Sequence, residues 1–241
     1  MKGKFYVIGV GPGDPELLTL KAIRILNDCS VWVVPKGSLE GESTALNIIG
    51  DTVSRQGKEV LEQYFPMKKI HRGKKADPAV AKAWRQTAGV ICERLAQGND
   101  VVFPTLGDPA IYSTGFYVCE TLLEIMADLE IEIIPGVSSI GATAAAVGQP
   151  LCLGDERLVV IPATFENGKL KETLEQFDTV VLMKVHRVLD RLVPLLSELN
   201  LLDKAVLVER TSQNEERIQR DLVAAAAGEQ HYFSTIIVRK K

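Results

Sequence analysis

Short apolar segments alternate with helical patterns along most of the chain. In the apolar segments, hydrophobic residues follow one another over about six positions, as in FYVIGV at 5–10. In the helical patterns, apolar residues recur every three or four positions, which is typical of a helix with one buried face. Strands are predicted at 5–10, 31–35, 59–65, 100–106, 131–134, 157–162, 178–183, 204–208 and 232–238. Helices are predicted at 15–28, 43–54, 77–97, 114–127, 138–147, 169–177, 186–199 and 215–227.

This alternation is typical of an α/β fold, in which the strands are largely parallel and helices cover the sheet. Nine strands are many for one open sheet, which usually has about four to six. The 241 residues fit two domains of about 120 residues each. We therefore predict two α/β lobes, residues 1–115 and 116–241, which pack closely because no long low-complexity linker separates them.

Composition and charge narrow the classes of function. The net charge of −3 argues against a surface built for nucleic acid or anionic membranes, so we expect neither as a partner. The apolar segment at 5–10 is too short for a signal-peptide core or a membrane span, which predicts a cytoplasmic protein. The four cysteines are widely separated and form no CxxC pair, so neither a disulfide framework nor a metal site is expected.

The loop after the first predicted strand resembles a dinucleotide-binding loop but departs from it. GVGPGDP at 9–15 has the spacing GxGxG, whereas the phosphate-binding loop has GxGxxG. Two of its residues are prolines, which have no N–H to donate. Asp14 is predicted to cap a helix that starts at Pro15, and the second strand ends in a lysine rather than an acidic residue. The loop therefore suits a ligand without phosphates; the alternative is an ordinary tight turn.

Two further loops follow predicted strands. In VVFPTLGDPAIYST at 101–114, Gly107 allows a close backbone approach, and Asp108 places a carboxylate near a strand end, where parallel sheets bind ligands. Tyr112 and its two neighbours add hydroxyl groups. In IIPGVSSIGATAAAVGQPL at 133–151, a run of small residues would let a helix pack closely against a neighbour. The alternatives are a capped turn for the former loop and an ordinary alanine-rich helix for the latter.

Six segments in a fixed order carry a family resemblance over the whole chain. They are VGPGDPELLTLKA at 10–22, LGDPAIYST at 106–114, PGVSS at 135–139, VVLMKV at 180–185, VLVERTSQNEERI at 206–218 and FSTIIV at 233–238. Together they resemble the tetrapyrrole (corrin and porphyrin) methyltransferases, which use S-adenosylmethionine (SAM). Within that family, VVPKGSLEGESTAL at 33–46, YFPMKK at 64–69 and QPLCLGDERLVVIPA at 149–163 resemble the precorrin-2 carbon-20 methyltransferases of cobalamin biosynthesis.

The resemblance implies two α/β lobes with a non-Rossmann SAM cleft between them, and a homodimer. It places the opening loop, with Gly11, Gly13 and Asp14, beside the tetrapyrrole. Arg210 stands where other branches of the family often have asparagine. The residues implied to bind SAM are Pro12, Leu106, Gly107, Asp108, Ile111, Ser138, Ser139, Met183, Thr211 and Ser234.

The reaction implied by the resemblance is transfer of the SAM methyl group to carbon-20 of precorrin-2 or of cobalt-factor II. Holding the reacting atoms close and in line can supply roughly 7–11 kcal/mol of such a barrier. A proton must also leave carbon-20, and its acceptor is left open between Tyr112, Asp108 and solvent. A cobalt ion would arrive with the substrate, so the protein needs no metal site of its own.

The tetrapyrrole substrates of this family carry many carboxylates, which basic side chains are expected to bind, arginine best because it is bidentate. The segment MKKIHRGKKAD at 67–77 is rich in lysine and arginine, and a lysine ends the second predicted strand. The alternative is a solvated basic loop. The residues predicted to bind substrate carboxylates are Lys36, Lys68, Lys69 and Arg72.

The sequence also bears on three other classes of function. An NAD-dependent oxidoreductase needs GxGxxG and an acidic end to the second strand, and the chain has neither. A SAM-dependent methyltransferase of the same superfamily acting at another ring position, or on rRNA or protein, stays open, although the net charge disfavours RNA. A non-catalytic ligand-binding protein predicts SAM binding without turnover.

Overall fold

The computed structural model describes residues 2–66, 76–164 and 167–241 and divides into two compact units, Met1–Ser138 and Ser139–Lys241. The sequence places the boundary between residues 115 and 116 instead. The difference arises because the strand at Ile131–Ile134 pairs with the strand at Phe5–Gly9 and therefore belongs to the first unit. Both units are α/β, so the prediction of two α/β lobes is confirmed.

The first unit contains a five-stranded parallel sheet in the order β3-β2-β4-β1-β5. Its carboxyl-end loops after β1, β4 and β5 are neighbours, because these three strands are adjacent. Its elements are β1 (Phe5–Gly9), α1 (Leu20–Asp28), β2 (Val31–Lys36), α2 (Thr44–Ile49), β3 (Glu59–Tyr64), α3 (Pro78–Ala96), β4 (Val101–Thr105), α4 (Gly115–Ile125) and β5 (Ile131–Ile134).

Successive residues of the inner strands face opposite sides of this sheet. On β1, Val7 belongs to a core cluster with Trp84 of α3, whereas Ile8 belongs to a second cluster with Leu26 of α1. All five residues of β4 are buried, as expected for a parallel strand that helices cover on both faces. This core holds the carboxyl ends of the strands, and hence the loops that follow them, in fixed positions.

The second unit contains a mixed sheet in the order β6-β7-β10-β8-β9. The pair β6–β7 is parallel, but β10 runs antiparallel to β7 and β8, and β9 antiparallel to β8, so the prediction of largely parallel strands is wrong for this unit. Its elements are α5 (Ser139–Val147), β6 (Leu158–Pro162), α6 (Asn167–Gln176), β7 (Thr179–Met183), α7 (Leu189–Glu198), β8 (Ala205–Glu209), β9 (Arg217–Gln219), α8 (Leu222–Ala226) and β10 (Ser234–Arg239).

Two of the predicted helices start later than expected, and a third, predicted at 43–54, ends early, at Ile49. The segment predicted as a helix at 215–227 begins with β9, and α8 starts only at Leu222. In the segment at 15–28, Asp14 caps a single 3-10 turn by accepting a hydrogen bond from the Glu16 amide at 2.8 Å. The α-helix starts five residues after Pro15, where the Thr19 hydroxyl forms the cap. Within the described residues, every helix is too short or too polar to span a lipid bilayer.

Candidate active site

In the first unit, the loops after β1, β4 and β5 approach so closely that only glycine fits at their contacts. A Cβ atom added to Gly9 would lie 2.6 Å from the Gly136 amide nitrogen and 2.7 Å from the Gly107 carbonyl oxygen. A Cβ atom added to Gly136 would lie 2.4 Å from the same oxygen. These contacts are to backbone atoms, which cannot move aside as a side chain can. The three glycines therefore fix how the loops stack.

The loop after β1 is also bound to the loop after β4 by hydrogen bonds. The Gly107 amide donates to the Gly11 carbonyl oxygen at 2.8 Å, and the Gly11 amide donates to the Gly107 carbonyl oxygen at 3.3 Å. Both glycines have positive φ, 80° and 70°, a conformation that glycine adopts without strain. Both of these amides are therefore used within the protein rather than offered to a phosphate.

The side chain of Asp108 joins the β4 loop to the β5 loop. Its Oδ1 accepts a hydrogen bond from the Ala110 amide at 2.8 Å, and its Oδ2 accepts one from the Gly136 amide at 3.0 Å. Both carboxylate oxygens therefore hold backbone amides. This geometry suits a residue that holds its loop in shape.

Among the hydroxyl groups that follow Asp108, Tyr112 and Ser113 differ in their surroundings. The Ser113 hydroxyl lies 2.8 Å from that of Thr105 and accepts a hydrogen bond from the Gly115 amide at 3.0 Å. Tyr112 has a left-handed backbone, with φ 50°, and its side chain is 46% exposed. Partial burial raises the pKa of its phenol above the ordinary value. Ser113 therefore serves the loop, whereas Tyr112 is accessible to a ligand.

In the second unit, the carboxyl ends of β7 and β8 and the amino end of β10 lie side by side at one end of the sheet. Because β10 is antiparallel to β7 and β8, its first two residues lie beside the last residues of those strands. Ser234 is opposite Glu209 of β8, and Thr235 is opposite Met183 of β7. We call this set of residues, 183–184, 209–212 and 231–234, the β10 edge. It gathers Met183, Thr211 and Ser234, which the sequence predicts to bind SAM.

The backbone of the β10 edge is strained at three positions. Lys184, Arg210 and Ser212 have φ of 60°, 51° and 63°, a region that residues with a side chain rarely adopt and that costs on the order of 1–3 kcal/mol each. Such strain is concentrated at functional sites. Burial lowers the pKa of the Lys184 ammonium group. The three strained positions make the β10 edge a candidate binding site.

Two buried hydroxyl groups of the β10 edge have different surroundings. The Thr211 hydroxyl lies 2.9 Å from that of Thr143 on α5, so the pair is hydrogen bonded. The Ser234 hydroxyl oxygen is buried and has no hydrogen-bond partner among the described residues. A buried hydroxyl without a partner costs about 1–3 kcal/mol, which a ligand atom could recover. Ser234 therefore presents an available hydrogen-bonding group.

The remaining predicted site residues occupy several places. Lys36 ends β2 and lies 3.7 Å from the Glu62 carboxylate, while Ser138 and Ser139 stand where the two units divide. In the first unit, Pro12 and Gly13 lie in the opening loop, and Leu106 and Ile111 lie in the β4 loop. Their roles stay predictions. Lys68, Lys69 and Arg72 lie outside the described residues.

The sequence predictions omit two charged residues of the β10 edge, Lys184 and Glu209. Each stands at the end of a buried apolar strand, in VVLMK and AVLVE, where a charge is costly without a partner. That position is the signal in the sequence that points to them. In the part of the chain that the structure describes, no group of three or more His, Cys, Asp or Glu side chains could hold a metal ion.

Comparison with known proteins identifies the family. The model of the tetrapyrrole (corrin/porphyrin) methylases matches residues 4–227. The cobalt-precorrin-2 C(20)-methyltransferase of Salmonella typhimurium is 35% identical over 243 residues, which cover 100% of this chain and 98% of that protein. The precorrin-2 C(20)-methyltransferase of a Sinorhizobium species is 29% identical, over 98% of this chain and 95% of that protein. The structure of Thermus thermophilus uroporphyrin-III C-methyltransferase complexed with S-adenosylhomocysteine has a TM-score of 0.65 at 23% identity, covering 98% and 96% of the two chains. The family predicted from the motifs is confirmed: the chain belongs to the tetrapyrrole methylases.

Proposed function

We propose that this chain is a SAM-dependent C-methyltransferase that adds one methyl group to carbon-20 of precorrin-2 or of cobalt-factor II, in cobalamin biosynthesis. The observation that carries the proposal is the match, over the full chain, to the C(20)-methyltransferase of Salmonella typhimurium. SAM as the methyl donor is supported by the S-adenosylhomocysteine in the related Thermus thermophilus structure. The alternative is a methyltransferase of the same superfamily with another ring position, rRNA or protein as its target.

The residues present fit SAM better than a phosphate-bearing cofactor. SAM carries a sulfonium cation and no phosphate, and the Gly11 and Gly107 amides, which a phosphate would need, bind each other's carbonyl oxygens. The buried Ser234 hydroxyl has capacity for one more hydrogen bond. In this proposal the Ser234 hydroxyl of the second unit binds the cofactor.

When bound, SAM supplies a methyl group already activated on positively charged sulfur. The protein then has to orient the acceptor carbon against it and exclude water, which rigid loops do at no further cost in ordering. The glycine contacts at Gly9, Gly107 and Gly136 supply that rigidity in the first unit. Asp108 is proposed to act mainly as the holder of its loop, since both of its oxygens accept backbone amides.

We expect Tyr112→Phe to keep turnover within about threefold of the wild type. The raised pKa means that the phenol is protonated near neutral pH, so it cannot accept the proton from carbon-20 there. If the phenolate were the base, turnover would rise about tenfold per pH unit up to that pKa. Turnover of both proteins is measured from pH 7 to 9.5. A large loss in Tyr112→Phe, with such a rise in the wild type, would assign the base to Tyr112.

We expect Ser234→Ala to weaken SAM binding about tenfold while leaving the free energy of unfolding unchanged or raising it by about 1 kcal/mol, because the variant removes a buried hydroxyl without a partner. The matched control is Ser43→Ala, since the buried Ser43 hydroxyl donates to the Pro35 carbonyl oxygen at 2.9 Å. That variant should lose stability and keep its SAM affinity. Calorimetric titration and urea unfolding measure both quantities. Unchanged SAM affinity in Ser234→Ala would remove this residue from the site.

The remaining expectations belong to the same proposal. Lys36, Lys68, Lys69 and Arg72 bind peripheral carboxylates of the ring, and the protein works in the cytoplasm as a homodimer. Cobalt, where present, is part of the substrate.

The proposed activity is tested by a paired turnover assay. Purified protein and SAM are given cobalt-factor II in one reaction and metal-free precorrin-2 in the other, and the mass of the ring is measured. One added methyl group is expected in at least one reaction, and the preferred substrate decides whether cobalt is present at this step. No added methyl group in either reaction, with both rings verified intact, would favour the alternative ring positions or macromolecular targets.

A further inference from the structure

Glu209, the last residue of β8, has a fully buried side chain, with 0% exposure. Its Oε2 accepts a hydrogen bond from Gln219 Nε2 at 2.8 Å and forms an ion pair with Arg217 Nη2 at 2.9 Å, and its Oε1 accepts a hydrogen bond from the His231 amide. A buried carboxylate is tolerated only when such donors replace its hydration. These three partners come from β9 and from the segment before β10. One side chain therefore ties three segments together.

Two of the segments that Glu209 joins, residues 209–210 and 231–233, belong to the β10 edge. Directly after Glu209, the Arg210 amide donates to the Phe233 carbonyl oxygen at 2.8 Å, so residues 209–210 and 231–233 are joined twice. Thr211 and Ser234 follow these contacts by one residue each. Their positions therefore depend on the backbone that Glu209 holds.

A second carboxylate of the same unit, that of Glu156, forms an ion pair away from the β10 edge. Glu156 pairs with Arg239, and their side chains are 10% and 9% exposed, with oxygen–nitrogen distances of 2.7 and 3.0 Å. Arg239 is the last residue of β10, whereas Ser234 is the first. The Glu156 pair thus has similar chemistry at the opposite end of the same strand. Of these two carboxylates, that of Glu209 is the one next to the residues predicted to bind SAM.

We propose that Glu209 is a positioning residue for SAM binding: it fixes residues 209–212 and 231–234 so that Thr211 and Ser234 are held where the cofactor needs them. This inference rests on the proposed function. It differs from a general contribution to stability, because the effect is confined to one end of β10.

The test compares Glu209→Gln with Glu156→Gln. In Glu209→Gln, the new NH₂ group faces either the His231 amide, which cannot turn away, or Arg217, which loses its acceptor. We expect the dissociation constant for SAM to rise at least fivefold in Glu209→Gln and to change less than twofold in Glu156→Gln. Calorimetric titration is done well below the unfolding temperature of each variant.

Hydrogen exchange without SAM supplies a readout that does not depend on the cofactor. In Glu209→Gln, the amides of residues 217–219 and 230–234 should exchange faster than in the wild type, with residues 158–162 unchanged. If Glu209→Gln does not fold, Arg217→Ala replaces it, because the Arg217 side chain is 57% exposed and its loss leaves two donors on the carboxylate. A smaller rise in the dissociation constant, about threefold, is then expected.

Three results would overturn the inference. One is wild-type SAM affinity in Glu209→Gln despite faster exchange. Another is an equal loss of affinity in both glutamine variants, which would indicate general destabilisation. The third is unchanged exchange of residues 230–234. Wild-type protein that does not bind SAM would contradict the proposed function itself, so the two failures are distinguishable.

Discussion

We expect Gly136→Ala to destabilise the protein by about 3 kcal/mol and to abolish measurable methyl transfer. The added Cβ would lie 2.4 Å from the Gly107 carbonyl oxygen and 2.8 Å from the backbone of Gly9, distances that Cβ atoms do not show in folded proteins. Overpacking against side chains costs about 1–3 kcal/mol, and here the neighbours are backbone atoms of two core-anchored loops. The loops must therefore move apart, and this movement disrupts the hydrogen bonds between Gly11 and Gly107.

The control for this prediction is Gly89→Ala. Gly89 lies on the exposed side of α3, and a Cβ added there meets nothing within 4 Å. An alanine in that helix should raise stability by about 0.5–1 kcal/mol and leave turnover unchanged. Urea unfolding and an assay with saturating SAM measure both effects. A Gly136→Ala variant with wild-type stability and turnover would mean that the three loops do not stack as described.

The second large effect is expected for Asp108→Asn, which should weaken SAM binding at least tenfold in the absence of the ring substrate. Both oxygens of Asp108 accept backbone amides, from Ala110 and Gly136. The asparagine NH₂ group must face one of these donors, and an amide that loses its acceptor costs about 1–3 kcal/mol. Because the Gly136 bond joins the β4 and β5 loops, its loss alters the backbone assigned to the cofactor.

SAM binding measured without the ring substrate distinguishes the two roles of Asp108, as the holder of its loop and as the acceptor of the carbon-20 proton. A residue that only accepts the proton from carbon-20 would leave SAM affinity unchanged in Asp108→Asn and lower turnover alone. The control is Asp77→Asn, since Asp77 caps α3 through one oxygen, which asparagine retains. That variant should stay within a few tenths of a kcal/mol of the wild type. Unchanged SAM affinity in Asp108→Asn would contradict the holding role.

Local patterns in the sequence predict most strands but not their partners. The buried run VVFPT of β4 is recognisable because it is wholly apolar apart from its end. The segment RIQ of β9 has no such run, and it is a strand only because it pairs with the edge of β8. The antiparallel direction of β10 likewise depends on contacts with β7 and β8, which are distant in sequence.

The sequence motifs name residues of the candidate site but not their arrangement. The motifs contain Gly9, Gly107 and Gly136, yet their mutual contact depends on the strand order β4-β1-β5. For the same reason, the bond from the Gly136 amide to Asp108 cannot be inferred from a motif. The role proposed for Glu209 depends on β9, a strand that the sequence predicts as part of a helix at 215–227.

The position of the transferred methyl group distinguishes the proposed activity from its alternatives. The protein is incubated with ¹³C-methyl SAM and with each of the two rings in turn, and the product is examined by NMR. We expect a single label on the meso carbon-20, with loss of the hydrogen from that carbon. A label on any other ring carbon, or turnover that labels RNA or protein instead of either ring, would contradict the proposed function.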